Sequence, residues 1–116
     1  VLCFEVVLNG AAMFNHANLR LPSALDRVLR WGIVTPDMHR VHHSVVPNET
    51  NSNFGFNLSC WDRLFGTYRA APAAGHAGMT IGLSGLRNPA IADRLPEMLA
   101  LPFRALRDDY AINRRG

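Results

Sequence analysis

Hydrophobic positions run from Val1 to Phe14, VLCFEVVLNGAAMF, broken only by Glu5 and by the Asn9-Gly10 pair. A run that is apolar nearly all round predicts a helix destined for a core or for lipid rather than for a protein surface. It is shorter than the roughly 18–20 apolar residues that cross a bilayer. No complete spanning helix is therefore predicted, and the run reads as the tail of one that begins upstream. Glu5, awkward in lipid, is expected to face a neighbouring helix or the interface.

After Asn15-His16-Ala17-Asn18 the pattern breaks at Leu21-Pro22-Ser23, because proline disfavours helix in the residue before it. Ser23 is the expected N-cap of a helix from Ala24 to about Trp31, with Leu25, Val28, Leu29 and Trp31 apolar and Asp26, Arg27 and Arg30 polar. Such a segment suits a membrane surface or a globular core equally. Gly32 ends it. Thr35-Pro36-Asp37 is a second start signal: a capping hydroxyl, proline at the first helical position and an acid in the first turn. Pro47 limits that helix to about three turns. The Asn-, Ser- and Gly-rich residues 48–60 predict a loop. Gly66 breaks the short apolar segment WDRLFGTYR, AAPAAGHAG is a small-residue loop, and after Pro89 one more helix is expected to about Arg107, interrupted at Pro96 and Pro102. No strand-like alternation and no repeat occurs. The predicted class is all-α, with a loop-rich segment after the second helix start.

Composition sharpens this picture. The chain has 116 residues, enough for one modest core, and its first residue is Val, so the expectation is a fragment with part of any site upstream. Charged residues are 18% against roughly 25% in a typical soluble domain, which leans toward a membrane or a large hydrophobic partner. All 12 cations are arginine, but they are scattered, and a net charge of +3 is too weak to predict nucleic-acid binding. Arg20, Arg27, Arg30 and the terminal NRRG are candidates for anionic headgroups or, more simply, a solvated face. Cys3 and Cys60 fit no CxxC pattern and are expected to be small buried hydrophobes.

Candidate chemistry lies in HRVHHS. On a helix, His39 stands three residues before His42 and four before His43, so the three imidazoles can aim at one place. Converging lone pairs are readily rationalised by a metal ion. A zinc protease motif would carry Glu where Arg40 stands, and so lacks its base. A structural zinc site would draw on cysteine, and a carboxylate-bridged bundle would need Glu-x-x-His pairs. An imidazole-rich iron site, suited to oxygen chemistry and completed from elsewhere, is what remains.

PDMHRVHHSVVPNETNSNFGFNLSCWDRLFGTYR resembles the closing histidine box and downstream signature of the fatty acid hydroxylase/sterol desaturase superfamily, especially its bacterial sterol desaturase family members. FNHANLRLP resembles the segment before that box and GHAGMTIGL the tail, so the likeness covers roughly residues 10–105. It implies that residues 1–116 are the C-terminal part of such a domain, multi-pass in the membrane, with the histidine box on the cytosolic side. It implies a di-iron (Fe) centre that uses O2 and electrons from a donor protein to hydroxylate or desaturate a lipid substrate. His39, His42 and His43 would be metal ligands and His16 a further one, although a lone histidine at a helix end is otherwise a structural group. The family's first two boxes have no counterpart here, and four imidazoles do not complete two irons, so this piece alone is expected to be inactive. The rival reading is a non-catalytic metal-binding, membrane-interacting domain.

Other polar residues carry weaker expectations. Asp37, Asn51 and Asn53 are candidates to hydrogen-bond ligand imidazoles, or else serve turns and caps. Asp62 and Arg63 are a possible local pair, with a structural corner on Trp61, Leu64 and Phe65 the preferred account. Trp61 and Tyr68 suit headgroup level or a core. His76 is expected to stay outside any metal site.

Overall fold

The computed structural model describes residues 1–103, which form helices and turns with no strand among the described residues. Eight helices follow in order: α1 Leu2–Asn15, α2 Ser23–Leu29, α3 Pro36–His42, α4 Pro47–Thr50, α5 Cys60–Phe65, α6 Gly75–Gly78, α7 Pro89–Ala92 and α8 Leu95–Ala100. Short 3-10 turns cover Ser84–Leu86 and Leu101–Phe103. The all-α class is as the sequence implied. The expected extension to Arg107 and the NRRG terminus lie outside the described residues.

Local signals explain most element ends. The Thr35 hydroxyl accepts from the Met38 N–H at 3.4 Å, and Pro36 opens α3 as the cap geometry predicts. Asn88 caps α7 in the same manner, accepting from the Ala90 N–H. Gly66 closes α5 at φ 72°, a left-handed conformation that glycine adopts without strain. Ser23 is not the N-cap of α2. Pro22 takes that position, and Ser23 is already helical. The tail helix divides at Asp93-Arg94, so Pro96 lies in the first turn of α8 instead of interrupting a helix. α3 stops at His42, with His43 as its cap, one turn shorter than Pro47 alone would require.

The interior sits around α3 and is mostly polar. Among the described residues Val34, Met38 and Val41 are the buried hydrophobic side chains, with Pro36 and Pro72 buried beside them, whereas Asn15, Arg30, Thr35, Asp37, His39, Ser44, Glu49, Ser52, Asn53, Ser59 and Asp62 are buried polar ones. Hydrogen bonds, not apolar contact, therefore organise the described part of the chain, because a buried polar group without a partner is costly. Asn53 shows how. Its Nδ2 donates to the carbonyls of Met38 and Arg69, both at 2.9 Å, and its Oδ1 accepts from the Arg69 N–H at 2.8 Å. This clamps the loop after α4 onto α3, with Asn53 itself at φ 50°. Backbone pairs fix the flanks: Val34 N–H to Asn57 O, Val45 N–H to Thr80 O and Gly82 N–H to His43 O.

Much apolar surface faces outward. On α1, Leu2, Phe4, Val6, Val7 and Met13 are exposed, and Asn15 is its one buried residue. No helix among the described residues is long and apolar enough to cross a membrane. Cys3 and Cys60, expected to be buried, are both exposed and free. In each case the neighbours that would cover them do not come from this chain's described residues.

Candidate metal centre

His39 lies in the second turn of α3 and His43 caps that helix, so a spacing of four brings both rings to one side. His16 caps the C-terminal end of α1, which packs against α3. The three Nε2 atoms form a near-equilateral triangle: 3.2 Å from His39 to His16, 3.3 Å from His43 to His16 and 3.1 Å from His43 to His39. His39 is buried, while His16 and His43 are exposed, so the triangle opens outward.

Tautomers follow from the partners. A carbonyl only accepts, so His16 Nδ1 carries a proton, donated to Ala12 O at 2.8 Å, and its Nε2 keeps a lone pair. His42 Nδ1 donates likewise to Ser52 O at 3.0 Å, leaving its own Nε2 as an acceptor. Burial, reinforced by His43, His16 and His42, lowers the pKa of His39 to about 4. Burial, then His42 and His16, lowers His43 as well. These rings are therefore neutral near pH 7 and free to donate lone pairs.

The geometry fits a cation. A triangle of this size has a circumradius slightly under the ~2.0–2.1 Å metal–imidazole bond, so its three nitrogens are spaced to hold one ion. His16, His39 and His43 can thus hold one metal ion together. His42 stands beside them without joining the triangle, its ring stacked 5.8 Å from that of His39. His16 and His42 are oriented by carbonyls, the usual support for ligand imidazoles. His39 Nδ1 is buried with no such partner among the described residues. Rings hold it instead: His16 and His43 edge-on at 4.7 and 4.8 Å, and Phe56 edge-on at 6.2 Å.

Two of the residues expected to hydrogen-bond the imidazoles, Asp37 and Asn53, do other work. Asp37 pairs with Arg40 at 2.8 Å, and Asn53 clamps backbone. Backbone carbonyls of Ala12 and Ser52 take the role instead. Asn51 is exposed. Asp62 does not pair with Arg63. Its carboxylate turns inward, and the Arg63 guanidinium lies between the rings of Trp31 and Tyr68, 4.5 and 4.1 Å away. The corner is accordingly built on Asp62, with Trp61, Leu64 and Phe65 exposed. Arg30, offered as a headgroup cation, is buried and paired with Asp26 at 2.7 Å. Arg20 and Arg27 are exposed. His76 is outside the triangle.

Sequence reasoning missed Glu49, Phe54 and Phe56. The buried Glu49 carboxylate accepts from Ser44 Oγ at 2.5 Å and from the Ala73 N–H at 2.6 Å. Burial alone would raise its pKa, but these bonds and the nearby Arg69 charge hold it below the usual value. Phe54 packs edge-on to His42 at 5.6 Å. The only signal for these rings was the tight Phe-Gly-Phe repeat inside an otherwise polar loop.

Comparison with known proteins matches residues 1–67 to the family model described as fatty acid hydroxylase. The chain is 41% identical over 92 residues to ornithine lipid hydroxylase OlsE of Rhizobium tropici, covering 78% of this chain and 25% of that protein. It is 48% identical over 40 residues to alkylglycerol monooxygenase of Xenopus tropicalis, covering 34% of this chain and 9% of that protein. The chain therefore spans about a quarter or less of the length of these curated relatives. No solved structure matches.

Proposed function

Because the chain belongs to the fatty acid hydroxylase family, we propose that it is the C-terminal part of a membrane di-iron oxygenase that hydroxylates or desaturates a lipid C–H bond. The co-substrates are O2 and electrons from a donor protein. The observation that carries this reading is the Nε2 triangle of His16, His39 and His43, in a chain whose relatives are named as a lipid hydroxylase and a monooxygenase. His42, whose Nδ1 donates to Ser52 O, is the fourth ligand of the proposal. Further ligands would come from other parts of the longer protein, which is multi-pass with this box on the cytosolic side.

Bound iron would supply the one-electron chemistry with O2 that no protein side chain performs. The chain's own residues do the rest. His39 and His43 offer lone pairs at neutral pH because burial suppresses their protonation. The Ala12 and Ser52 carbonyls keep the protons of His16 and His42 on Nδ1, away from the metal side. Phe54 and Phe56 pack edge-on against His42 and His39 on the loop side. No nucleophile or general base is required of this segment.

The test is iron analysis of the full-length parent purified in detergent, followed by mass spectrometry of lipids after incubation with O2 and a reductant. The expected result is bound iron and a lipid that has gained one oxygen or lost two hydrogens, both abolished by His39→Ala. Iron-free protein with unchanged lipid would overturn the reading. Bound zinc with activity independent of O2 would redirect it to a hydrolase.

A further inference from the structure

Asp62 lies 19 residues beyond His43, yet it is 1% exposed and its carboxylate is held by donors from the loops on both sides of α5. Oδ1 accepts from the Phe54 N–H at 2.7 Å and from the Thr67 hydroxyl at 2.6 Å, and Oδ2 accepts from the Gly55 N–H at 2.9 Å. Two successive backbone donors thus converge on one carboxylate, an arrangement that needs acceptors at both oxygens. Only glycine permits it, since a Cβ on residue 55 would stand 2.7 Å from Asp62 Oδ2.

The gripped loop reaches the metal centre at three places. The Phe54 ring packs on His42, the Phe56 ring packs on His39, and Phe56 O accepts from Asn15 Nδ2 at 2.6 Å, beside His16. For His39 this matters most. Its Nδ1 has no hydrogen bond to orient the ring, and Phe56 is the one ring other than imidazole recorded against it among the described residues.

We propose that Asp62 is a positioning residue of the metal centre, setting the planes of His39 and His42 through the Phe54-Gly55-Phe56 loop. The inference rests on the reading of these histidines as metal ligands. Asp62→Asn would place an amide N–H against a backbone N–H in either rotamer, so the loop must shift while the side chain's size is kept. A displaced Phe56 frees the His39 ring to tilt, and the nitrogens lose their common focus. Outer supports of metal ligands typically change affinity by roughly 10–100-fold.

The experiment titrates the full chain, in detergent, with cobalt(II) chloride, and reads affinity and the ligand-field absorption of the bound ion. The variants are Asp62→Asn, Phe56→Leu and Glu49→Gln. The last breaks a buried carboxylate that grips Ser44 and Ala73 instead of this loop. Asp62→Asn and Phe56→Leu should each shift the absorption bands and weaken binding by about tenfold or more, with helical circular dichroism retained. Glu49→Gln should lower the melting temperature with the bands unmoved. Bands and affinity unchanged in Asp62→Asn, or altered equally by Glu49→Gln, would overturn the inference alone. Should Asp62→Asn not fold, Phe56→Leu, which leaves the grip intact, decides by the same readout. A wild-type chain that binds no cobalt would overturn the metal-centre reading and this inference with it.

Discussion

His39 combines two properties that rarely coexist in a polar side chain: it is buried, and its neighbours are other imidazoles. Both suppress its protonation, and both make it the member of the triangle whose loss is least compensated. His39→Ala should weaken cobalt(II) binding by more than the roughly 10–100-fold typical of outer-shell changes. His76→Ala should leave binding unchanged in the same titration. A sign follows for pH. The folded chain keeps His39 neutral down to about pH 4, whereas an unfolded imidazole takes up its proton near 6.5. Stability from this residue is therefore complete above pH 6.5 and is lost as pH falls from there toward 4. Melting temperatures of the metal-free chain should decline across that window, and His39→Gln should flatten the decline. The spacing of His39 and His43 was legible because a four-residue step is local geometry. The approach of His16 was legible only through the family resemblance, since periodicity says nothing about which helix end meets α3.

α3 is short, and its position rests on one cap and one clamp. The cap was readable from Thr35-Pro36-Asp37 because its partners lie within four residues. The clamp was not, because Asn53 bonds groups 15 and 16 residues away and sits in a loop whose composition announces only turns. Asn53→Ala should destabilise the chain by about 1–3 kcal/mol, the cost of leaving one partly buried donor, the Arg69 N–H, without its acceptor. Denaturant titration measures this. Gly55→Ala should act on the same loop from the other side. Its Cβ would meet backbone oxygen of Leu58 as well as Asp62 at 2.7 Å, so the turn must move. A melting temperature equal to wild type would show that the loop yields freely. Ser23 misled the reading of α2 because proline at the cap position satisfies the backbone geometry without a hydroxyl.

Taken whole, the described residues bury polar groups and present apolar ones, the reverse of a solitary water-soluble domain. Phe4, Val6, Val7, Trp31, Leu64 and Phe65 are each more than half exposed. The chain should float with phosphatidylcholine vesicles in a density gradient, and a monodisperse chain that stays in the lipid-free fraction would count against the membrane reading. The order of residues alone determined the helical class, the capped start of α3 and the common face of His39 and His43, because each depends on neighbours within one or two turns. Tertiary structure alone decided that His42 stands outside the triangle of His16, His39 and His43, that Asp62 serves the loop in place of Arg63, and that the cysteines face outward. Those outcomes depend on contacts between segments distant in the chain, where hydrogen-bond partners are chosen by three-dimensional fit and not by spacing.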